Sequence, residues 1–569
     1  MSVGEPRVSV VVIVFDDADR IAEAVHSALD QGDAVGEVLV VDDGSTDATP
    51  EVLARLAAGN PRVRVLTRPA NSGGCGTPRN EGIAAAREPY VMLLDSDDVL
   101  PPGAARTLLD AATAHRADVA AGVAVRRELP GGPDTPWQRD LYPPDGAAPL
   151  LLPDGIGTRP GFLRDTLSAG KLYDRSFLER HGVRFADGDV HYEDFLFTAM
   201  VYAARPRLVA IPDPVYHWHV RRGAGRQSIS LRRDEIRNWR DRVDAHAGAV
   251  RALGEAGEKS LADAAATKFL DYDLRMYVRE LGGRSDAYLA EWWTITREYL
   301  KGFDPSAAAA AHPAARWITA AVLASDRPVE VSRLIELAAG PARLVPPYLT
   351  AADGSPVLGA GDAAVPLDGL DRLPLTRLPV AVDGAVRIGR RCEVRLRLHE
   401  LYGRLGPAAP ESVALELRSR SGAPPVALSH AAPLVRSAGP AAGPSDGPAR
   451  AGGTGRPGAA VNSGDTWTAA LPVDVFELVR AGRAAAPMTA WTLWADVRFA
   501  DGRTLTTAVR APGGVSRRSF AYRPPAAFAL VQAHTTASGG LGLRIAGGLS
   551  GVREVAGARL ARLLARLQH

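Results

Sequence analysis

Residues 8–15 read VSVVVIVF. All but one of these side chains are β-branched or aromatic, the composition of a strand buried on both faces. Residues 20–31 follow with Ile21, Ala24, Val25, Ala28 and Leu29 at helical spacing. EVLVVD at 37–42 is a second strand and 49–58 a second helix; 63–67 is a third strand, with a helix over 77–87. YVMLLD at 90–95 is the fourth strand, and 102–115 the next helix. This alternation predicts an α/β domain with a mainly parallel, doubly wound sheet. Ligands of such sheets bind beyond the carboxyl ends of the strands, where Asp42, Asp43, Asp95 and Asp97 fall.

The chain has 569 residues, 46% hydrophobic and 23% charged, which suits several folded domains and excludes bulk disorder. Its formal net charge of +2 gives no global steering towards nucleic acid. Lysine occurs only at 171, 259, 268 and 301, so the cations are nearly all arginines. With abundant alanine, this is the bias of a GC-rich genome and says little about phosphate binding. Cys75 and Cys392 are the only cysteines, which excludes a disulfide scaffold and a cysteine-built zinc site. Residues 1–7 lack the pattern of a signal peptide, and no run reaches ~18 apolar residues. The expectation is a cytoplasmic protein.

Residues 130–230 are less regular, and 231–336 read as helical, notably 236–253 and 261–281. Composition shifts near 340–347. Beyond it, period-two alternation appears at 394–398, 413–417 and 491–499, the last running into an Asp501-Gly502 turn that signals a hairpin. One or two antiparallel β-sandwich units are expected there. Residues 437–464, rich in Gly, Pro, Ala and Ser, are expected to be a flexible loop. Residues 552–567 place Val552, Val555, Leu560, Leu563, Leu564 and Leu567 on one helical face, with arginines around much of the rest. The expected division is an α/β domain over 1–230, a helical linker over 231–340, a β-rich region over 341–535, and a C-terminal amphipathic helix over 536–569.

Three segments could carry chemistry. Asp95-Ser96-Asp97-Asp98 follows a buried strand; a divalent cation bridging to phosphate would give these mutually repelling carboxylates a purpose. Capping of the next helix would also account for them. Asp42-Asp43-Gly44-Ser45-Thr46-Asp47 could meet a nucleotide's base or ribose, or simply form a tight turn. In Asn71-Ser72-Gly73-Gly74-Cys75-Gly76, glycine-rich backbone at a helix start suits close approach by a phosphate-bearing ligand. A dinucleotide fingerprint is excluded, because the third glycine is missing and the loop follows the third strand.

In order and spacing these segments resemble the family 2 glycosyltransferases, inverting enzymes of the GT-A (nucleotide-diphospho-sugar transferase) fold. VSVVVIVFD at 8–16 matches the family's VSVIIPVYN, with Ile13 for proline, Phe15 for tyrosine and Asp16 for asparagine. VVDDGSTD at 40–47 and LDSDD at 94–98 are unchanged, and NxGxxxARNxG becomes Asn71 to Gly82 with Pro78 in the alanine position. The resemblance implies a donor site of Phe15, Asp16, Asp42, Asp43, Arg79, Asp95 and Ser96. Phe15 would pack beside the base, Asp42 would contact uracil and Arg79 the nucleotide. Asp97 would hold Mn²⁺ or Mg²⁺ on the diphosphate.

Glu193-Asp194 is similar to the family's ED motif, which makes Asp194 the base that takes the acceptor proton and Glu193 a support behind it, an acceptor contact or part of the donor site. Helix capping by Asp194 is the alternative. PVYHWHVRR at 214–222 resembles the PLYxYRxR segment. By that likeness Arg221 faces the leaving diphosphate, Ser228 or Ser230 closes over it, and His219 joins Asp97 on the metal, although alternation puts His217 and His219 on one strand face where either could be merely packed. Lys171, in AGKLYD, matches a GKLYRR-like segment near the donor. The β-rich half resembles in layout the wall teichoic acid glycosyltransferases, whose appended domains support oligomerisation. The implied activity is metal-dependent inverting transfer from a UDP-sugar to a polyol-phosphate, polysaccharide or glycolipid hydroxyl. The implied protein is a homo-oligomer with no nucleic-acid partner. Its C-terminal helix could rest on the inner face of the cell membrane. Another nucleotide sugar, a small-molecule acceptor, or a catalytically silent glycan-binding protein stay open.

Overall fold

The computed structural model describes residues 7–129, 132–221, 232–340 and 342–548. Within the last span, 352, 360–363, 371–379, 389–391, 403, 420–423, 428–429, 439–459, 463, 483–487, 513–515, 524–526 and 537–538 are excepted. Two compact units divide the chain: Met1–Asp273 with Glu298–Ala311, and Leu274–Arg297 with His312–His569.

The first unit begins β1 (Val8–Val14), α1 (Ile21–Leu29), β2 (Val35–Asp42), α2 (Thr49–Gly59), β3 (Val63–Thr67), α3 (Gly76–Ala85), β4 (Tyr90–Asp95), α4 (Ala104–His115) and β5 (Val119–Leu129). It continues with β6 (Asp134–Pro136), β7 (Leu150–Leu152), β8 (Lys171–Asp174), α5 (Arg175–Arg180), α6 (Glu193–Ala203), β9 (Leu208–Arg221), α7 (Ile236–Glu255) and α8 (Lys259–Lys268). Nine strands form one sheet of order β3-β2-β1-β4-β8-β5-β9-β7, with β6 beside β5. β1 pairs in parallel with both β2 and β4, so the strand order reverses at β1. β8 runs antiparallel to its neighbours β4 and β5. Val8, Val10 and Val12 bury against α1 and α4, whereas Val11, Val41 and Leu93 bury on the opposite face. Two-sided burial is why residues 8–15 carry no polar alternation.

The helical stretch 231–340 is not a linker of its own. Helices α7 and α8 belong to the first unit, where Leu253, Leu261 and Ala265 complete the core under the sheet. Pro313–Ala324 and Val331–Ala338 belong to the second. Period 3.6 identified the helices but carries no information about which core they join.

In the second unit, Ala381–Arg387, Cys392–His399, Thr466–Val473 and Val435–Ser437 form a four-stranded sheet. An eight-stranded sheet is built on Pro410–Ser419, Met488–Phe499, Leu541–Gly547, Ala527–Thr535 and Ser516–Arg523. Val394, Leu396, Leu415, Trp491, Leu493 and Leu543 share one core, so the expected β-sandwich is present. The hairpin at Asp501-Gly502 is present too, with Arg498 opposite Thr504. The boundary at 536 needs correction, because Leu541–Gly547 pairs with Ala527–Thr535 inside the larger sheet. Residues 549–569, which hold the helical pattern, and most of 437–464 lie outside the described residues. No helix among the described residues is long and apolar enough to cross a membrane.

Candidate active site

Arg79, on the first turns of α3, is the hub of the site. Its side chain is only 4% exposed, and its guanidinium donates to Glu193 at 2.6 Å, to Asp194 at 3.2 Å and to Asp95 at 2.7 Å. One buried cation therefore gathers carboxylates from the end of β4 and the start of α6. Asp194 is the freer of the α6 pair, with a longer bond to Arg79 and a side chain 23% exposed against 12% for Glu193. Burial pushes Asp194 up, while Arg79, the nearby Ser168 hydroxyl and Lys171 pull it back. Burial pushes Glu193 up to about 7 against the pull of Arg79. Asp194 is not the N-cap of α6, a position held by Tyr192.

The glycine-rich loop does something other than cradle phosphate. A Cβ on Gly76 would lie 2.0 Å from the Ala186 carbonyl oxygen, and one on Gly74 2.4 Å from that of Gly188. The glycines are needed because segment 185–190 lies flat on them. Thr77 and Asn80 fasten that segment: the Thr77 hydroxyl donates to Asp187, Gly188 N–H donates to Thr77, and Asn80 exchanges both bonds with the Phe185 backbone. The chain then enters α6 with Glu193 and Asp194 aimed at Arg79. This corrects the expectation that the loop's glycines serve a phosphate-bearing ligand.

The remaining residues divide into exposed and internally committed groups. Asp42 is fully buried; its Oδ1 accepts from Ser45 N–H at 3.0 Å, while Oδ2 is buried without a hydrogen bond. Asp43 is spent on the fold, accepting from Asn71, Ser72 and Arg68. Asp16, in the left-handed region at φ 48°, accepts from the Thr46 and Asp47 backbone and so holds the 43–47 loop. The Ser96 hydroxyl donates to Asp17 at 2.6 Å. Phe15, at the end of β1, is half-buried. Lys171 is buried 2.8 Å from Asp165 and donates to the Leu167 carbonyl, which makes it a support beneath the site, not a donor contact. Ser228 and Ser230 lie outside the described residues.

At the other edge, Asp97 is 41% exposed and meets Arg20 at 3.3 Å. Burial and then Asp95 raise its carboxyl to about 6. The Arg221 guanidinium donates to the Asp97 carbonyl at 3.2 Å. His219 donates its backbone N–H to Asp98, its imidazole is held below the usual range by burial and Arg221, and its Nδ1 is buried without a partner. Among the described residues no group of three or more His, Cys, Asp and Glu is placed to hold a metal ion. Arg20, Asp17 and Tyr216 were not singled out from sequence. The alternation through Asp16-Asp17-Ala18-Asp19-Arg20 looks like an ordinary polar turn, and only the fold brings Arg20 to Asp97.

The family model described as Glycosyl transferase family 2 matches residues 9–182. The chain carries a family 2 glycosyltransferase domain. The chain is 34% identical over 242 residues to the succinoglycan biosynthesis protein ExoO of Rhizobium meliloti, spanning 41% of this chain and 65% of that protein. It is 26% identical over 301 residues to the poly(ribitol-phosphate) beta-glucosyltransferase of Bacillus spizizenii, spanning 52% of this chain and 44% of that protein. The chain thus covers less than two thirds of the length of either relative. Among solved structures it is similar to S. aureus TarS at 16% identity and a TM-score of 0.49, over 96% of this chain and 86% of that chain.

Proposed function

We propose that this glycosyltransferase moves a sugar, with inversion, from a UDP-sugar to a hydroxyl of a cell-envelope polymer, a polyol-phosphate or polysaccharide in preference to a glycolipid. The observation that carries the reading is Arg79 holding Asp95, Glu193 and Asp194 at one point beyond the strand ends. The names of the two relatives, one a polysaccharide biosynthesis protein and one a poly(ribitol-phosphate) glucosyltransferase, favour a polymeric acceptor.

Asp194 takes the proton of the acceptor hydroxyl as its oxygen bonds to the anomeric carbon. The bond from that carbon to the diphosphate breaks on the opposite side, and UDP leaves. Burial suits Asp194 to this task by making it a stronger base than an exposed aspartate. The unpaired Oδ2 of Asp42 is a ready acceptor for the imide N–H of uracil. Asp97 and His219, one repelled carboxylate and one imidazole nitrogen without a hydrogen bond, are the residues that would hold Mn²⁺ or Mg²⁺, with substrate phosphate oxygens and water completing the shell. When bound, the ion would offset charge on the departing diphosphate. Self-association through the second unit and peripheral membrane contact belong to the same reading.

The test incubates the full chain with UDP-glucose, UDP-GlcNAc and other nucleotide sugars, with Mn²⁺ or EDTA, with and without poly(ribitol phosphate), and measures nucleotide release. UDP release from a UDP-sugar, quickened by the polymer, is expected. Release only from a GDP- or dTDP-sugar overturns the donor assignment. Polymer binding with no release from any donor identifies a glycan-binding protein instead.

A further inference from the structure

The two carboxylates at the start of α6 stand between aromatic residues, Tyr192 before them and Phe195 after. Both rings lie under a single guanidinium: Arg242 Cζ, on α7, is 4.7 Å from the Tyr192 ring centroid and 5.0 Å from that of Phe195. The Lys268 ammonium, at the end of α8, lies 4.7 Å from the Phe195 ring. These cations are joined below by Asp273. Arg242 Nε donates to Asp273 Oδ1 at 2.7 Å, and Lys268 Nζ lies 3.0 Å from Oδ2.

Asp273 is 1% exposed, and the π-helical turn Phe269–Leu274 is what brings it to the pair. Burial alone would raise its carboxyl, but Arg242 and then Lys268 hold it well below the carboxylate range. A buried carboxylate matched to two cations is strongly committed, since removing one partner strands the others. Aromatic faces attract such cations through the ring quadrupole, with geometry fixed by the ring. Tyr192 is further held by its hydroxyl, which donates to Asn238 on α7 at 2.8 Å. With φ of 61°, Tyr192 has the left-handed backbone that turns the chain into α6, an arrangement a tyrosine keeps only when its surroundings hold it.

We propose that Arg242, anchored by Asp273, is a positioning residue for the reaction: it clamps Tyr192 and Phe195, and so sets Glu193 and Asp194 against Arg79. The inference rests on Asp194 being the base. It differs from a plain stability role in what it moves. If the start of α6 rocks, Asp194 leaves the guanidinium of Arg79, and the pull that keeps its carboxyl down weakens. The titratable groups facing Asp194 are Arg79 on α3 and Cys75 just before it, Asp95 on β4, Lys171 and Tyr173 on β8, and Glu193 on α6 itself.

The experiment compares Arg242→Gln and Arg242→Lys with the unaltered chain, measuring UDP release against pH and normalising to the folded fraction. Arg242→Gln should lower kcat by about 10²-fold, the cost of roughly 1 Å of misplacement. It should also move the acid limb of kcat to higher pH with the UDP-sugar KM within twofold. Arg242→Lys should recover part of both. Tyr192→Leu, which strands no buried charge, should reproduce the limb shift and serves if Arg242→Gln does not fold. A normalised kcat and acid limb unchanged in the folded variants overturn the proposal. Should the unaltered chain release no UDP at all, the functional reading fails by itself. The positioning claim is then decided by a crystal structure of Tyr192→Leu, where an Arg79–Asp194 bond still at its original length overturns it.

Discussion

The Tyr216 hydroxyl donates a 2.6 Å hydrogen bond to Asp98 Oδ2, and the other carboxylate oxygen accepts the His219 backbone N–H at 2.7 Å. The same hydroxyl accepts from Asp95 N–H at 3.3 Å. β9 thereby fixes both ends of the acidic loop beyond β4, and Asp98 is a fastening, with Asp97 left facing outward. Burial, then Asp97 and Asp95, push the Asp98 carboxyl well up, so its two donors are what keep it in place.

Tyr216→Phe removes one of those donors from a buried group. Thermal unfolding should show a loss of about 1–3 kcal/mol, and UDP-sugar KM should rise as the 95–98 loop loosens. A melting temperature equal to that of the unaltered chain would refute the fastening role.

Asp194→Asn keeps the shape of the side chain but cannot take a proton. We expect kcat to fall about 10²–10⁴-fold, with UDP-sugar affinity by calorimetry unchanged. Weakened donor binding at constant kcat would place Asp194 in the donor site instead.

The raised carboxyls give a pH signature in two observables. Asp194 must be ionised to act, so kcat should climb with pH through its acid limb and then level off. Stability should run the other way. Glu193 holds its proton more tightly folded, near 7, than its ordinary value of 4.5, so between those values the folded state binds more protons and its contribution to stability falls as pH rises. Denaturant midpoints for Glu193→Gln that fall with pH as steeply as those of the unaltered chain would contradict this.

Asp97→Ala removes an outward-facing carboxylate and should leave the fold intact while abolishing turnover. Activity near that of the unaltered chain, still sensitive to EDTA, would show that any metal is held elsewhere.

Gly76→Ala puts a methyl group where the Ala186 carbonyl oxygen sits. Segment 185–190 must then lift, at a cost of about 1–3 kcal/mol for overpacking. Because that segment leads into α6, kcat should fall with it. Full activity and an unchanged melting temperature in Gly76→Ala would show that the contact yields freely.

Much of the first unit was legible because its signals are local. The runs at 8–15, 37–42 and 90–95 are too uniformly apolar for anything but two-sided burial, and the acidic residues follow them directly. Asp194 and Arg79 were found by motif, and the structure brings them together. The glycines at 73–76 were misread because their partner lies about a hundred residues away, and a glycine required by packing looks in sequence like one required by a ligand. Lys171 was misplaced for a similar reason: a lone lysine gives no sign that Asp165 will bury it. In the second unit Met488–Phe499 announced itself by strict alternation, whereas Leu541–Gly547, with a glycine at position 542 and inside an expected helix, did not.

The fit between the 73–76 turn and the 185–190 segment also limits how this protein can be re-engineered. Backbone lies against backbone there, with Thr77 and Asn80 stitched to the facing strand of chain, so neither side tolerates exchange by itself. A chimera that borrows the early strands from a relative to change nucleotide preference must import residues 185–190 with them, or the start of α6 will be delivered out of register. On the proposed reading, donor choice and proton transfer form a single heritable module, although their residues are far apart in the gene.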